Sequence, residues 1–133
     1  PQVEWILNQA NTTIDYQVES ILKKDSLDIT DADRQHILEK VQGETSEHIV
    51  ITHGTDTMVE TAQALNEVTG KTIVLVGAMQ PARFKDSDAI FNTGFAVAAA
   101  TLLSPGIYIA MNGQIFSADE VRKNRDAGRF EAK

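Results

Sequence analysis

The sequence contains no cysteine, which excludes disulfides, thiolate metal sites and thiol nucleophiles. That absence suits a reducing compartment, so the cytoplasm is the expected location. Proline is scarce as well, with three in 133 residues, while 42% of residues are hydrophobic and 23% charged. This balance fits a compact globular protein and argues against a disordered or fibrous one. No apolar run approaches the roughly 18 residues of a membrane span. The longest, residues 95–103, is alanine-rich and broken by Thr101, so no membrane partner is expected. Lys and Arg form no stripe or block, and a net charge of -7 gives no attraction toward phosphate backbones. No nucleic-acid partner is expected either. Repeats, low-complexity stretches and linkers are all missing, so the length reads as one domain.

What is present is an alternation of two periodicities. Val3, Ile6, Leu7 and Ala10 share one helical face, and residues 13–21 then alternate polar and apolar like a strand. Thr30 opens a helix with a capping hydroxyl; Ile37, Leu38 and Val41 follow at helical spacing, and Gly43 stops it. His48 to Thr52, HIVIT, is short and β-branched like a buried strand, and a helix over about 57–68 follows, closed by Gly70. The pattern then repeats: a strand at 72–76, a polar loop at 77–86, a small-residue helix over about 87–103, and a strand at 107–111. Asn112-Gly113 predicts a type I′ turn into a strand at 114–117. Apolar strands alternating with helices predict an α/β fold, a three-layer α/β/α domain of right-handed βαβ units around a mainly parallel sheet.

Ligands of open α/β sheets bind beyond the carboxyl ends of the strands. Chemistry is therefore expected in KKDSLDIT (23–30), THGTDT (52–57), GAMQPARFKDSD (77–88) and MNGQ (111–114), all on one sheet edge. In HGTDT, Gly54 permits a tight turn and close backbone approach, Thr55 supplies a hydroxyl nucleophile and Asp56 a carboxylate that can orient or activate a base. The helix start beside them offers free N–H groups to an anion or oxyanion. A plainer reading makes Thr57 and Glu60 a T-x-x-E capping box, which leaves His53, Thr55 and Asp56 unexplained.

Other residues carry two readings each. His53 is a general base or a hydrogen-bonding scaffold member, and its spacing from His36 and His48 suits no shared metal. Ser26 and Asp28 either contact a ligand or form a turn into the Thr30 cap. Lys123 is a solvated charge or, if desolvated, a base. Arg83, Lys85, Asp86 and Asp88 read as a solvated lid or rim.

Two stretches decide among these. IVITHGTDTMVETA (49–62) resembles the second signature of the bacterial-type L-asparaginase and glutaminase family, and IVLVGAMQPARFKDSDAIFN (73–92) resembles the segment that follows it. The resemblance runs over nearly the whole chain. It implies the family's N-terminal α/β domain and hydrolysis of the side-chain amide of asparagine, sometimes glutamine, by a threonine nucleophile, with no cofactor and no metal. By motif position, Thr55 and Asp56 match the second catalytic threonine and its aspartate, and Lys123 in EVRKN matches the lysine completing that relay. Ser26 falls on the substrate-holding serine, Gly54 and Ala78 on backbone framing the pocket, and Asp56 is also implied to bind the substrate's α-ammonium.

The family's first signature, a strand followed by Thr-Gly-Gly-Thr-Ile that carries the other catalytic threonine, is not among these residues. The match stops near Lys133. The expected organisation is one domain over 1–133 whose first strand lies before Pro1, without the smaller C-terminal domain. The resemblance further implies a homo-oligomer, most simply a dimer. An alternative from a different class is a catalytically weak or inactive domain that binds a small amino acid or acts as an interaction subunit.

Overall fold

A computed structural model describes residues 2–80 and 87–133. Helix α1 (Gln2–Gln9) is followed by α2 (Asp31–Gly43), β1 (His48–Thr52), α3 (Met58–Ala64) and β2 (Thr72–Val76). Then come α4 (Ala89–Leu102), β3 (Gly106–Met111), β4 (Gln114–Ser117), β5 (Val121–Asn124) and β6 (Arg129–Ala132). Strands β1, β2 and β3 are parallel neighbours and β4 runs antiparallel to β3, giving a mainly parallel sheet in the order β1-β2-β3-β4. The β5–β6 hairpin is a separate two-stranded sheet.

Strand periodicity shows which helix covers which face. His48 and Thr72 are register partners; His48 Nδ1 donates to the carbonyl of Ala100 at 2.7 Å, and Thr72 Oγ1 donates to that of Leu103 at 3.1 Å. Their shared face therefore lies under α4, with α1 packed beside it. Ile73 and Leu75 point the other way and are fully buried, in a core that includes Met58, Ala62 and Leu65 of the α3 segment and Ile37, Leu38 and Val41 of α2. The sheet is sandwiched, as expected.

One part of the expectation is corrected. Strands β1, β2 and β3 step in one direction across the sheet while α3 and α4 cover opposite faces, so the two crossovers have opposite hands. Only one of them obeys the right-handed rule.

Two local readings also change. Residues 13–21 form no strand, although Ile21 packs on the core. The T-x-x-E capping box is absent: Thr57 makes no side-chain cap, and α3 ends at Ala64 rather than near 68. The capping box of this fold is at α2, where Thr30 Oγ1 accepts from Asp33 N and the Asp33 carboxylate accepts from Thr30 N. Asn112 (φ 56) and Gly113 (φ 69) take the left-handed geometry of a type I′ turn.

Candidate active site

Past the C-terminal ends of β1 and β2, the backbones come together closely. Residues 55–57 form one 3-10 turn between β1 and α3. A second such turn, Ser26–Asp28, lies against it. Gly54 is what lets them touch, since a Cβ there would sit 2.6 Å from Ser26 Cβ. The buried Ser26 hydroxyl accepts the Thr57 N–H at 2.6 Å, and the Thr57 hydroxyl donates to the Ser26 carbonyl at 2.7 Å. Thr57 is thus a clamp between two loops, not a helix cap.

Lys123 arrives from far along the chain. In β5, Val121 and Lys123 share one face, and Val121 is fully buried together with Phe130, the register partner of Lys123. Arg122 and Asn124 take the other face, where both donate to Glu131. This parity turns the Lys123 side chain inward, to 13% exposure, against the start of α3. Its Nζ donates to Thr55 Oγ1 at 2.8 Å and to Asp56 Oδ1 at 2.8 Å. The hydrogen bond from Lys123 holds the Asp56 carboxyl below the usual carboxylate range, with smaller help from the Lys123 and Arg125 charges. Asp56 is 40% exposed, so this hydroxyl, amine and carboxylate are reachable from solvent.

His53 belongs to the scaffold. A carbonyl can only accept, so Nδ1 carries the proton it donates to Gly54 O at 2.6 Å, and Nε2 accepts from the Thr61 hydroxyl at 2.8 Å. Thr61 Oγ1 in turn accepts Arg34 Nε at 3.0 Å, and Arg34 Nη1 donates to Ile29 O. This chain ties the 23–30 loop to the Gly54 turn. Arg34 and Thr61 carry no sequence signal beyond helical polarity.

Burial, and secondarily the Arg34 charge, keep the pKa of His53 below its ordinary 6.5. Its folded pKa lies below its unfolded one, so its contribution to stability is full above about pH 6.5 and is lost as the pH falls below that value. Urea midpoints are expected to drop between pH 7.5 and 5.5 in the native chain and to drop less in His53→Gln. Parallel pH curves for the two proteins would remove His53 as the cause.

The other candidates are placed as follows. Ala78 lines a cavity of about 190 Å³ with Ile6, Thr52, His53, Val76 and Thr93, beside the Gly54 turn. Asp88 is not a solvated rim residue: its carboxylate accepts the N–H groups of Met79 and Gln80 and the Asn92 amide, which also donates to Gly77 O. It fixes the backbone after β2. Arg83, Lys85 and Asp86 lie outside the described residues. The 111–114 segment follows parallel strand β3 on the same sheet edge, where Asn112 Oδ1 accepts from the N–H of Phe130, the register partner of Lys123.

Sequence similarity runs the length of this architecture. Residues 2–132 match the family model described as Asparaginase, N-terminal. The chain belongs to the asparaginase family. Among relatives of this asparaginase-family chain, the glutaminase-asparaginase of Acinetobacter glutaminasificans is 40% identical over 110 residues, 79% of this chain and 32% of that protein. The probable periplasmic L-asparaginase of Haemophilus influenzae is 38% identical over 112 residues, again 79% of this chain and 32% of that one. The crystal structure of a probable cytoplasmic L-asparaginase from Campylobacter jejuni superposes with a TM-score of 0.86 at 31% identity, covering 98% of this chain and 44% of that one. The chain thus spans about a third of the length of these curated relatives. Among the described residues no helix is long and apolar enough to cross a membrane.

Proposed function

We propose that this chain serves an amidohydrolase of asparaginase type, acting on the side-chain amide of asparagine and secondarily of glutamine. The observation that carries the reading is the position of Lys123 Nζ, 2.8 Å from both Thr55 Oγ1 and Asp56 Oδ1 across more than sixty residues of sequence. A lysine that folds inward onto a hydroxyl and a carboxylate, in a chain of this family, has the parts of a proton relay.

In the proposed reaction a threonine oxygen adds to the amide carbonyl and its proton passes to the relay. Collapse of the tetrahedral intermediate breaks the C–N bond and releases ammonia, taking up a proton. Water then cleaves the ester to the acid and restores the hydroxyl. To accept a proton from Thr55, the Lys123 amine must be neutral; the Oγ1···Nζ hydrogen bond then reverses, with the hydroxyl donating. Asp56 orients the amine and balances its charge once protonated. The primary nucleophile is proposed to be the threonine of the family's Thr-Gly-Gly-Thr-Ile signature, with Thr55 as the relay hydroxyl. Ser26, Gly54 and Ala78 are proposed to frame the substrate, Ser26 and Gly54 through the close loop contact they make. The cytoplasm is proposed as the compartment, on the name carried by the Campylobacter jejuni protein, and a homodimer as the assembly.

The test is ammonia release from asparagine and from glutamine by the full-length protein, beside Thr55→Ala. Turnover that falls by two orders of magnitude or more, about the worth of a positioned proton-transfer group, supports the relay. Equal rates in the two proteins would overturn it.

A further inference from the structure

Residues 54–57, which carry the relay hydroxyl and carboxylate, are anchored at both ends to one guanidinium. At the first end Gly54 O accepts from the His53 ring at 2.6 Å, and the other ring nitrogen meets the Thr61 hydroxyl, into which Arg34 Nε donates at 3.0 Å. At the second end Ser26 holds the Thr57 N–H and hydroxyl, Ser26 O accepts Ile29 N at 3.3 Å, and Arg34 Nη1 donates to Ile29 O at 3.3 Å. Thr55 and Asp56 lie between these anchors. The Arg34 side chain is 12% exposed and Thr61 is fully buried, so water competes little for the bonds. Arg34 Nη1 also stands 3.7 Å from Asp31 Oδ1, but that carboxylate is fully exposed and such a pair contributes little.

Hydrogen-bond polarity runs one way along the first anchor. A guanidinium has donors only, so Thr61 Oγ1 accepts from Arg34 and keeps its own proton to give. His53 Nε2 receives that proton's hydrogen bond at 2.8 Å, which leaves the ring proton on Nδ1, aimed at Gly54 O. We propose that Arg34 is a positioning residue for the relay: through the Thr61 hydroxyl it fixes the His53 tautomer, and through that ring the Gly54–Thr55 peptide that sets where Thr55 Oγ1 stands. Without the guanidinium, the Thr61 hydroxyl is free to turn its proton to the carbonyl four residues back and to accept an Nε2–H instead. Nδ1 would then set a lone pair against Gly54 O, and the peptide carrying Thr55 would have to rotate. A displacement of about 1 Å is enough to slow a positioned step severely. The proposal rests on the amidohydrolase reading above for its effect on rate, and on hydrogen-bond polarity alone for its effect on the ring.

Imidazole nitrogen NMR spectra of the full-length protein at neutral pH read the tautomer directly, the His53 signals being those lost in His53→Gln. Native protein and Thr61→Ser are expected to show the proton on Nδ1 and to release ammonia from asparagine at rates within about twofold of each other, since serine keeps the hydroxyl. In Arg34→Met and Thr61→Val the second tautomer is expected to appear, with kcat lower by about tenfold or more and KM changed by less than about twofold, because the loss is one of geometry at Thr55. A His53 tautomer unchanged in both variants overturns the proposal, as does a native kcat beside a changed tautomer. Thr61→Val, nearly isosteric with the native side chain, carries both readouts even where thermal unfolding shows that Arg34→Met has lost its fold. Native protein that turns over neither asparagine nor glutamine overturns the amidohydrolase reading instead, and the tautomer comparison then decides by itself whether Arg34 sets the ring.

Discussion

Lys123→Met is expected to lower ammonia release from asparagine by about a thousandfold, since removing a positioned proton-transfer group forfeits about 10² to 10⁴ in rate. Methionine keeps an unbranched apolar stem on the hairpin face that carries buried Val121 and Phe130, so that face stays apolar. What is lost is the donor shared by Thr55 and Asp56. Because these groups act as a unit, Thr55→Ala added to Lys123→Met is expected to cause little further loss, whereas independent groups would multiply their effects. Steady-state rates for both single variants and the double variant settle the point. A double variant slower by the product of the two single effects would show that Lys123 does not act through Thr55. The pH dependence carries a second signature. Asp56 no longer receives the lysine hydrogen bond in this variant, so its carboxyl, held low in the native chain, is expected to titrate at higher pH.

Gly77→Ala is expected to be the most destabilising single methyl insertion near the site, at about 2 kcal/mol or more. A Cβ on Gly77 would overlap the carbonyl oxygen of His53, a backbone atom, and would crowd Met58 Cε at 3.0 Å and Thr55 Cγ2 at 3.3 Å. The β1 end cannot retreat freely, because His53 N donates to Val76 O at 2.9 Å and the His53 ring is held at both nitrogens. The melting temperature is expected to fall by roughly 6 to 10 °C. The natural control is Gly94→Ala in α4, where a Cβ meets nothing within 4 Å. There the helix gains about 0.5 to 1 kcal/mol. Thermal unfolding of both variants checks the contrast, and a Gly77→Ala protein as stable as the native chain would mean that the two loops are not packed as described.

The parallel strands are legible because β-branched runs have few alternatives: HIVIT and TIVLV occupy β1 and β2 with the expected bounds, although only β2 is buried and β1, at the end of the described sheet, is half-exposed. The 13–21 stretch has a strand's alternation and pairs with no strand among the described residues, and pairing is a property of two segments, which a pattern in one cannot reveal. The β5–β6 hairpin went unread because VRKN and RFEA are short and highly charged, although Val121 and Phe130 both point into the core. Within the site, Thr55, Asp56 and Lys123 were named from motif position, and folding brings them within hydrogen-bonding distance. The loop-holding roles of Arg34, Thr61, Asp88 and Asn92 are not legible in the sequence, where Asp88 reads instead as a solvated rim residue. Their roles come from tertiary hydrogen bonds that leave no periodicity behind. Thr57 departs from its local pattern for the same reason: T-x-x-E is a local signal, and a 2.7 Å bond to Ser26, thirty-one residues away, overrides it.

Alternation along β5 sets a rule for how this gene can drift. Lys123 points inward because it lies two residues from buried Val121, and the residue between them faces away, 64% exposed in a surface pair with Glu131. Such a pair contributes little, so position 122 is open to most substitutions. A single codon gained or lost between 121 and 123 is another matter, because it would rotate the amine to the solvent side while leaving every site residue in the sequence. In this hairpin the reading distance is inherited more strictly than the letter it spans.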